Sequence, residues 1–98
     1  MEFSFRPGFL AEGIYAEDAV TKREPFRAEH MERIKKLIDE GAVEVAAGFD
    51  DLSGSMLVIK VETQEAAKAI VESDVYWKNG VWTDYRLRKV NIVQFPNG

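Results

Sequence analysis

The stretch "AVEVAAGFDDLSGSMLVIKVE" (residues 42–62) decides the fold. It reads as two strands around a turn. In "AVEVAAGF" (42–49) the strand period of two places Val43, Val45, Ala47 and Phe49 on one face. "DDLSG" (50–54) is a turn signal, and "SMLVIKVE" (55–62) is the returning strand.

The segments on either side of this hairpin set the topology. Upstream lies "EPFRAEHMERIKKLIDEG" (24–41), an amphipathic helix. Pro25 suits its first turn, where a missing N–H costs nothing. Met31, Ile34, Leu37 and Ile38 follow the helical period, and Gly41 stops it. Downstream, Thr63 is a good N-cap for "QEAAKAIVES" (64–73), a short helix with alanines on its packing side. Farther out, "GFLAEGIYA" (8–16) reads as a first strand and "VWTDYRLRKVNIV" (81–93) as a long last one. "EDAVTKRE" (17–24) is a polar connection, "DVYWKNG" (74–80) turns the chain, and the first eight residues form an arm.

The order βαββαβ is the split βαβ, ferredoxin-like pattern: an α+β fold with a four-stranded antiparallel sheet and two helices on one face. Its 98 residues fit a single domain, 1–98. The third strand is apolar on both sides, with Met56 and Val58 facing one way and Leu57, Ile59 and Val61 the other. Two helices cover only one face, so a second copy of the same sheet is expected on the other, making a homodimer.

Composition removes several function classes. The net charge of −4 disfavours a nucleic-acid surface, which needs clustered positive charge. The middle strand "SMLVIKV" also lacks the aromatic side chains that stack RNA bases on such sheets. There is no cysteine and one histidine, which argues against a disulfide framework and leaves only carboxylates for a metal site; none is expected. No apolar run approaches a membrane span, and "MEFSFRPGF" (1–9) is not a secretory signal. By elimination the chain reads as soluble and cytoplasmic.

The single histidine then draws interest. At about 100° per residue, with Ile34 at the centre of the apolar stripe, His30 lies about 40° to one side and Arg27 about 20° to the other. The core face therefore turns polar towards the helix N-terminus. In this topology the first helix starts, and the second ends, at the same end of the sheet. His30 should therefore share that end with Asp74, with the turn holding Asp50, Asp51 and Ser53, and with Tyr15 and Asp18. A carboxylate beside the imidazole fixes its tautomer and leaves the other nitrogen for proton transfer. Arg27 and the free helix N–H groups favour an anion in the same cleft.

These residues also carry a resemblance. "RAEHMERIKKLIDEGAVEVAAG" (27–48) resembles the R-x-x-H-L signature of the YCII-related proteins, in the dimeric α+β barrel superfamily. "ETQEAAKAIVESDVYWKNGVWTDYRLRKV" (62–90) is similar to their second half, and "YAEDA" (15–19) to their Y-x-x-D. The similarity spans about residues 10 to 93. It implies a sheet-to-sheet dimer and an active site centred on a histidine and an aspartate, here His30 and Asp74. Arg27 and Tyr76 match the motif arginine and tyrosine, and Tyr15 and Ser55 join them as candidate substrate-binding residues. Val75 stands where the family usually has proline, and "AAGF" (46–49) replaces A-G-P. Members with an assigned reaction resemble muconolactone-isomerase-type or dehydrohalogenating enzymes, which use no metal or organic cofactor.

Three functions fit these observations. One is a cofactor-free lyase, isomerase or dehydrohalogenase acting on a small anionic or aromatic molecule. The second is a non-catalytic dimeric binding protein using the same cleft. The third is an interaction subunit in which Trp77 and Trp82 mark a partner patch.

Overall fold

The computed structural model describes residues 1–96. Its elements are β1 (Ser4–Tyr15), α1 (Ala19–Lys22), a 3₁₀ turn (Glu24–Phe26), α2 (Arg27–Asp39), β2 (Val43–Gly48), β3 (Gly54–Ile59), α3 (Gln64–Glu72), α4 (Val75–Lys78) and β4 (Trp82–Gln94). The sheet order is β2-β3-β1-β4 and every neighbouring pair is antiparallel. This is the ferredoxin-like arrangement expected from the sequence. No helix among the described residues is long and apolar enough to cross a membrane.

The local signals act largely as their chemistry requires. Gly41 adopts φ +81°, and the chain leaves α2 through bonds from Gly41 N to Ile38 O (3.0 Å) and from Ala42 N to Leu37 O (2.9 Å). That is a Schellman stop, which needs the left-handed conformation glycine tolerates. Thr63 caps α3, its hydroxyl accepting from Ala66 N at 3.2 Å. The helices bury Ile34, Ala67 and Val71 against Phe9, Leu57 and Ile59 of the sheet. Met56 and Val58 lie on the opposite face, with Leu10 and Val45 across from Val58 and Glu12 and Ala47 across from Met56.

Four local expectations fail, each for a physical reason. First, β1 begins at Ser4, so most of the expected arm is strand, paired from Ser4↔Gln94 to Gly8↔Val90 with β4. Pro7 is tolerated because β3 reaches only as far as Phe9, leaving this part of β1 with a neighbour on one side alone. Second, the polar connection contains a one-turn helix, α1, held by buried Ala19. Pro25 sits in the 3₁₀ turn that precedes α2. Third, β2 bulges: Val43 pairs with Ile59 and Val45 with Val58, so Glu44 is an inserted residue. Val43 is therefore in the core, and Val45 emerges on the open face. Fourth, Met31 and Ile38 of α2 are exposed, and the buried side runs through His30 and Ile34.

On the far side of the sheet's helical layer, Tyr85 donates to Glu72 at 2.5 Å and its ring meets Trp77 edge-on (centroids 5.1 Å). Burial first, and then the bond to Glu72, push the Tyr85 phenol up to about 12. A raised folded-state value means the fold favours the neutral phenol. Its contribution is complete below pH 10 and is lost as pH rises through about 12. Alkaline titration at 295 nm should show this as a late ionisation step that Tyr85→Phe removes; a wild-type curve unchanged by that substitution would contradict it.

Candidate functional site

Asp74 is where the site begins. It is fully buried, and its first role is local: Oδ1 accepts from Tyr76 N at 2.8 Å and caps α4. The same oxygen lies 2.8 Å from His30 Nδ1, and Oδ2 accepts from Arg33 Nη1 at 3.0 Å. Arg33 also donates from Nη2 to the Ile70 carbonyl at 2.9 Å, tying α2 to the end of α3. A carboxylate can only accept hydrogen bonds, so the His30 bond assigns a proton to Nδ1; in the neutral imidazole the lone pair is then on Nε2.

Two aromatic rings fix the imidazole plane. The Tyr76 ring stacks on it, with centroids 3.7 Å apart and planes 8° from parallel. Trp82 meets both rings edge-on, at 5.6 Å from His30 and 5.7 Å from Tyr76. Trp82 Nε1 in turn donates to Ser55 Oγ at 2.9 Å, which orients the indole and leaves the Ser55 hydroxyl hydrogen free to point elsewhere. Gly13 makes room for this: a Cβ there would lie 2.7 Å from the indole ring.

A cavity of ≈ 230 Å³ opens on this cluster, lined among others by Tyr15, Arg23, Arg27, His30, Ser55 and Tyr76. A cavity of about 150 Å³ is known to hold benzene, so one substituted ring fits here. Arg23 Nε is the single fully enclosed side-chain polar atom without a partner among the described residues. His30 Nε2 has no hydrogen bond to any described residue, and His30 lines the cavity. Burial raises the Tyr76 phenol above its ordinary range and neighbouring Tyr15 adds to this, while the charges of Arg23 and Arg27 pull it back.

The structure thus brings His30, Asp74, Tyr76, Tyr15, Ser55 and Arg27 to one end of the sheet. Arg27 is exposed, at the margin of the cavity instead of in the core. Asp50, Asp51 and Ser53 line a separate, shallower surface with Glu12 and Phe49. There Ser53 donates twice to Asp51, from Oγ at 2.6 Å and from N at 3.0 Å, which lowers the Asp51 carboxyl. Trp82 belongs to the site, whereas Trp77 packs away from it on Tyr85. Sequence reasoning missed Arg23 and Arg33. Arg33 lies one turn after His30, at i+3, and that spacing was the signal available for it. Among the described residues no group of three His, Cys, Asp or Glu side chains is placed to hold a metal ion.

Comparison with known proteins adds three findings. A family model described as "YCII-related domain" matches residues 9–91. No curated protein matches. Among solved structures, the chain is similar to 5-chloro-2-hydroxyhydroquinone dehydrochlorinase from Burkholderia phenoliruptrix AC1100, in complex with 2,5-dihydroxybenzoquinone. The identity is 21%, the TM-score is 0.69, and the match covers 83% of this chain and 90% of that one.

Proposed function

This chain belongs to the YCII-related domain family, and from that premise we propose that it is a cofactor-free acid/base enzyme acting on small ring compounds. One observation carries the reading: His30 Nδ1 is held 2.8 Å from Asp74 Oδ1 against stacked Tyr76, and His30 lines a ring-sized cavity. The structural relative, a dehydrochlorinase crystallised with a dihydroxybenzoquinone, supports the same class of chemistry.

Nε2 removes a proton from a carbon next to a carbonyl or ring double bond. The C–H electron pair becomes a new double bond. In an elimination the leaving group departs with its own bonding pair. In an isomerisation His30 returns the proton to another carbon. The imidazolium formed is stabilised by Asp74, whose own charge Arg33 shares. Tyr15, Ser55 and Tyr76 bind and orient the ring, and Arg27 attracts its negative oxygen.

The test is solvent exchange. Halogenated hydroquinones, hydroxyquinones and unsaturated lactones are incubated with the protein in D₂O and followed by mass spectrometry. Deuterium uptake at carbon, or loss of the hydrogen halide, supports the reading. Thermal stabilisation by a ligand that is neither exchanged nor consumed would replace it with the alternative, a non-catalytic binding protein.

The protein acts as a homodimer in this reading, because Leu10, Met56 and Val58 leave the open sheet face partly apolar. Sedimentation should give twice the 11.1 kDa chain mass; a monomer at tens of micromolar would refute it.

A further inference from the structure

The charge of the cavity wall is unbalanced. Asp74 bonds to His30, which lines the cavity, and is already matched by Arg33 at 3.0 Å. Arg23 and Arg27 both line the cavity, and no Asp or Glu does. Neither arginine takes part in any ion pair among the described residues, although Lys35, Lys36, Lys60 and Lys68 all do. Arg23 is part-buried and makes one long side-chain bond, from Nη1 to the Tyr15 hydroxyl at 3.4 Å. Its guanidinium carbon lies 5.9 Å from the Tyr15 ring centre, and its Nε is enclosed with no acceptor. A guanidinium has five N–H donors, so most of this group's capacity is unspent.

A part-buried cation without a counter-charge costs stability unless something supplies the charge. We propose that Arg23, together with Arg27, makes the cavity a receptor for an anionic single-ring compound. The compound carries a carboxylate, phenolate or enolate oxygen that lies against the two guanidinium groups, with its reacting carbon towards His30 Nε2. The inference deepens the acid/base reading above and rests on it for the placement of the reacting carbon. Arg23 is then the specificity-determining residue, and the short helix α1 and the 3₁₀ turn are what carry it to the cavity rim. The same pair of cations would stabilise the enolate that forms when carbon loses its proton, so selectivity and rate share one cause.

Two probes that differ by one carboxylate group test it: hydroquinone, neutral at pH 7, and 2,5-dihydroxybenzoate, an anion. Binding is followed through the ring signals of His30, the single histidine in the chain. The carboxylated ring should bind at least about ten-fold more tightly, with an affinity that falls as salt rises. Arg23→Gln should remove most of that preference, and Arg23→Gln/Arg27→Gln all of it, with hydroquinone affinity losing less than that of the carboxylated ring. Equal binding of both probes to the wild type, or a preference intact in the double variant, overturns the inference and leaves the ring site standing. If neither ring shifts His30, both the inference and the ring-site reading are overturned.

Discussion

Replacing Asp74 by alanine is expected to lower stability by about 3–5 kcal/mol, the cost of breaking a buried pair from one side. For a domain of this size each kcal/mol moves the melting temperature by about 4–8 °C, so the midpoint should fall by at least about 12 °C. Three losses add up. The α4 cap goes, Arg33 loses its counter-charge, and His30 Nδ1 loses its acceptor. Asparagine separates the parts. It can still cap α4, but an amide N–H₂ facing Arg33 sets donor against donor. Turned the other way, it offers that N–H₂ to His30 and favours the tautomer with the proton on Nε2. ¹⁵N chemical shifts of the single imidazole read this directly. In the wild type they should report Nδ1–H, and in Asp74→Asn a changed or mixed tautomer. Loss of the correct tautomer alone costs about 10⁴-fold in a well-studied catalytic triad. An alanine variant that melts within about 2 °C of wild type would show that the buried carboxylate is not the keystone described here.

His30→Gln removes the proposed base itself. If Nε2 is the base, deuterium exchange or elimination should fall by about 10²–10⁴-fold, the usual contribution of a positioned general base. The fold should survive, because Asp74 keeps its bonds to Tyr76 N and Arg33 and glutamine fills most of the space between Tyr76 and Trp82. Circular dichroism separates the two effects. A folded variant without exchange supports the acid/base role, and a folded variant that is still proficient sinks it.

The sequence made the scaffold legible wherever a local rule governs. Gly41, Thr63 and the "DDLSG" turn each carry their own stereochemistry, and between them they divide the chain into the βαββαβ order. The proximity of His30 and Asp74 followed from strand direction alone. What was not legible depends on an inserted residue or a distant partner. The bulge at Glu44 breaks the alternation that placed Val43 and Val45 together, and nothing in "AVEVA" announces it. Pro7 masked the early start of β1, because the harmless side of that strand is defined by where β3 stops. Arg33 was not singled out because its acceptors, Asp74 and Ile70, lie about forty positions away. Arg23 was lost in a polar connection whose one buried alanine is a weak signal for a turn of helix.

The longest ladder of the sheet joins the two ends of the chain, from Ser4↔Gln94 to Tyr15↔Trp82. Its pairings span roughly 67 to 90 positions. Such contacts are slow to form, because the intervening loop must close before any of them is rewarded. β1 is therefore made first and is completed last. The β2–β3 hairpin and the two longer helices can organise locally while β1 still waits for its partner. The cavity inherits that order, since Tyr15 ends one of these strands and Trp82 begins the other. During refolding, the indole signal and ligand binding should recover together, in the final kinetic phase. A ribosome-bound chain that has not yet released β4 would have its histidine but not the wall that holds it in place.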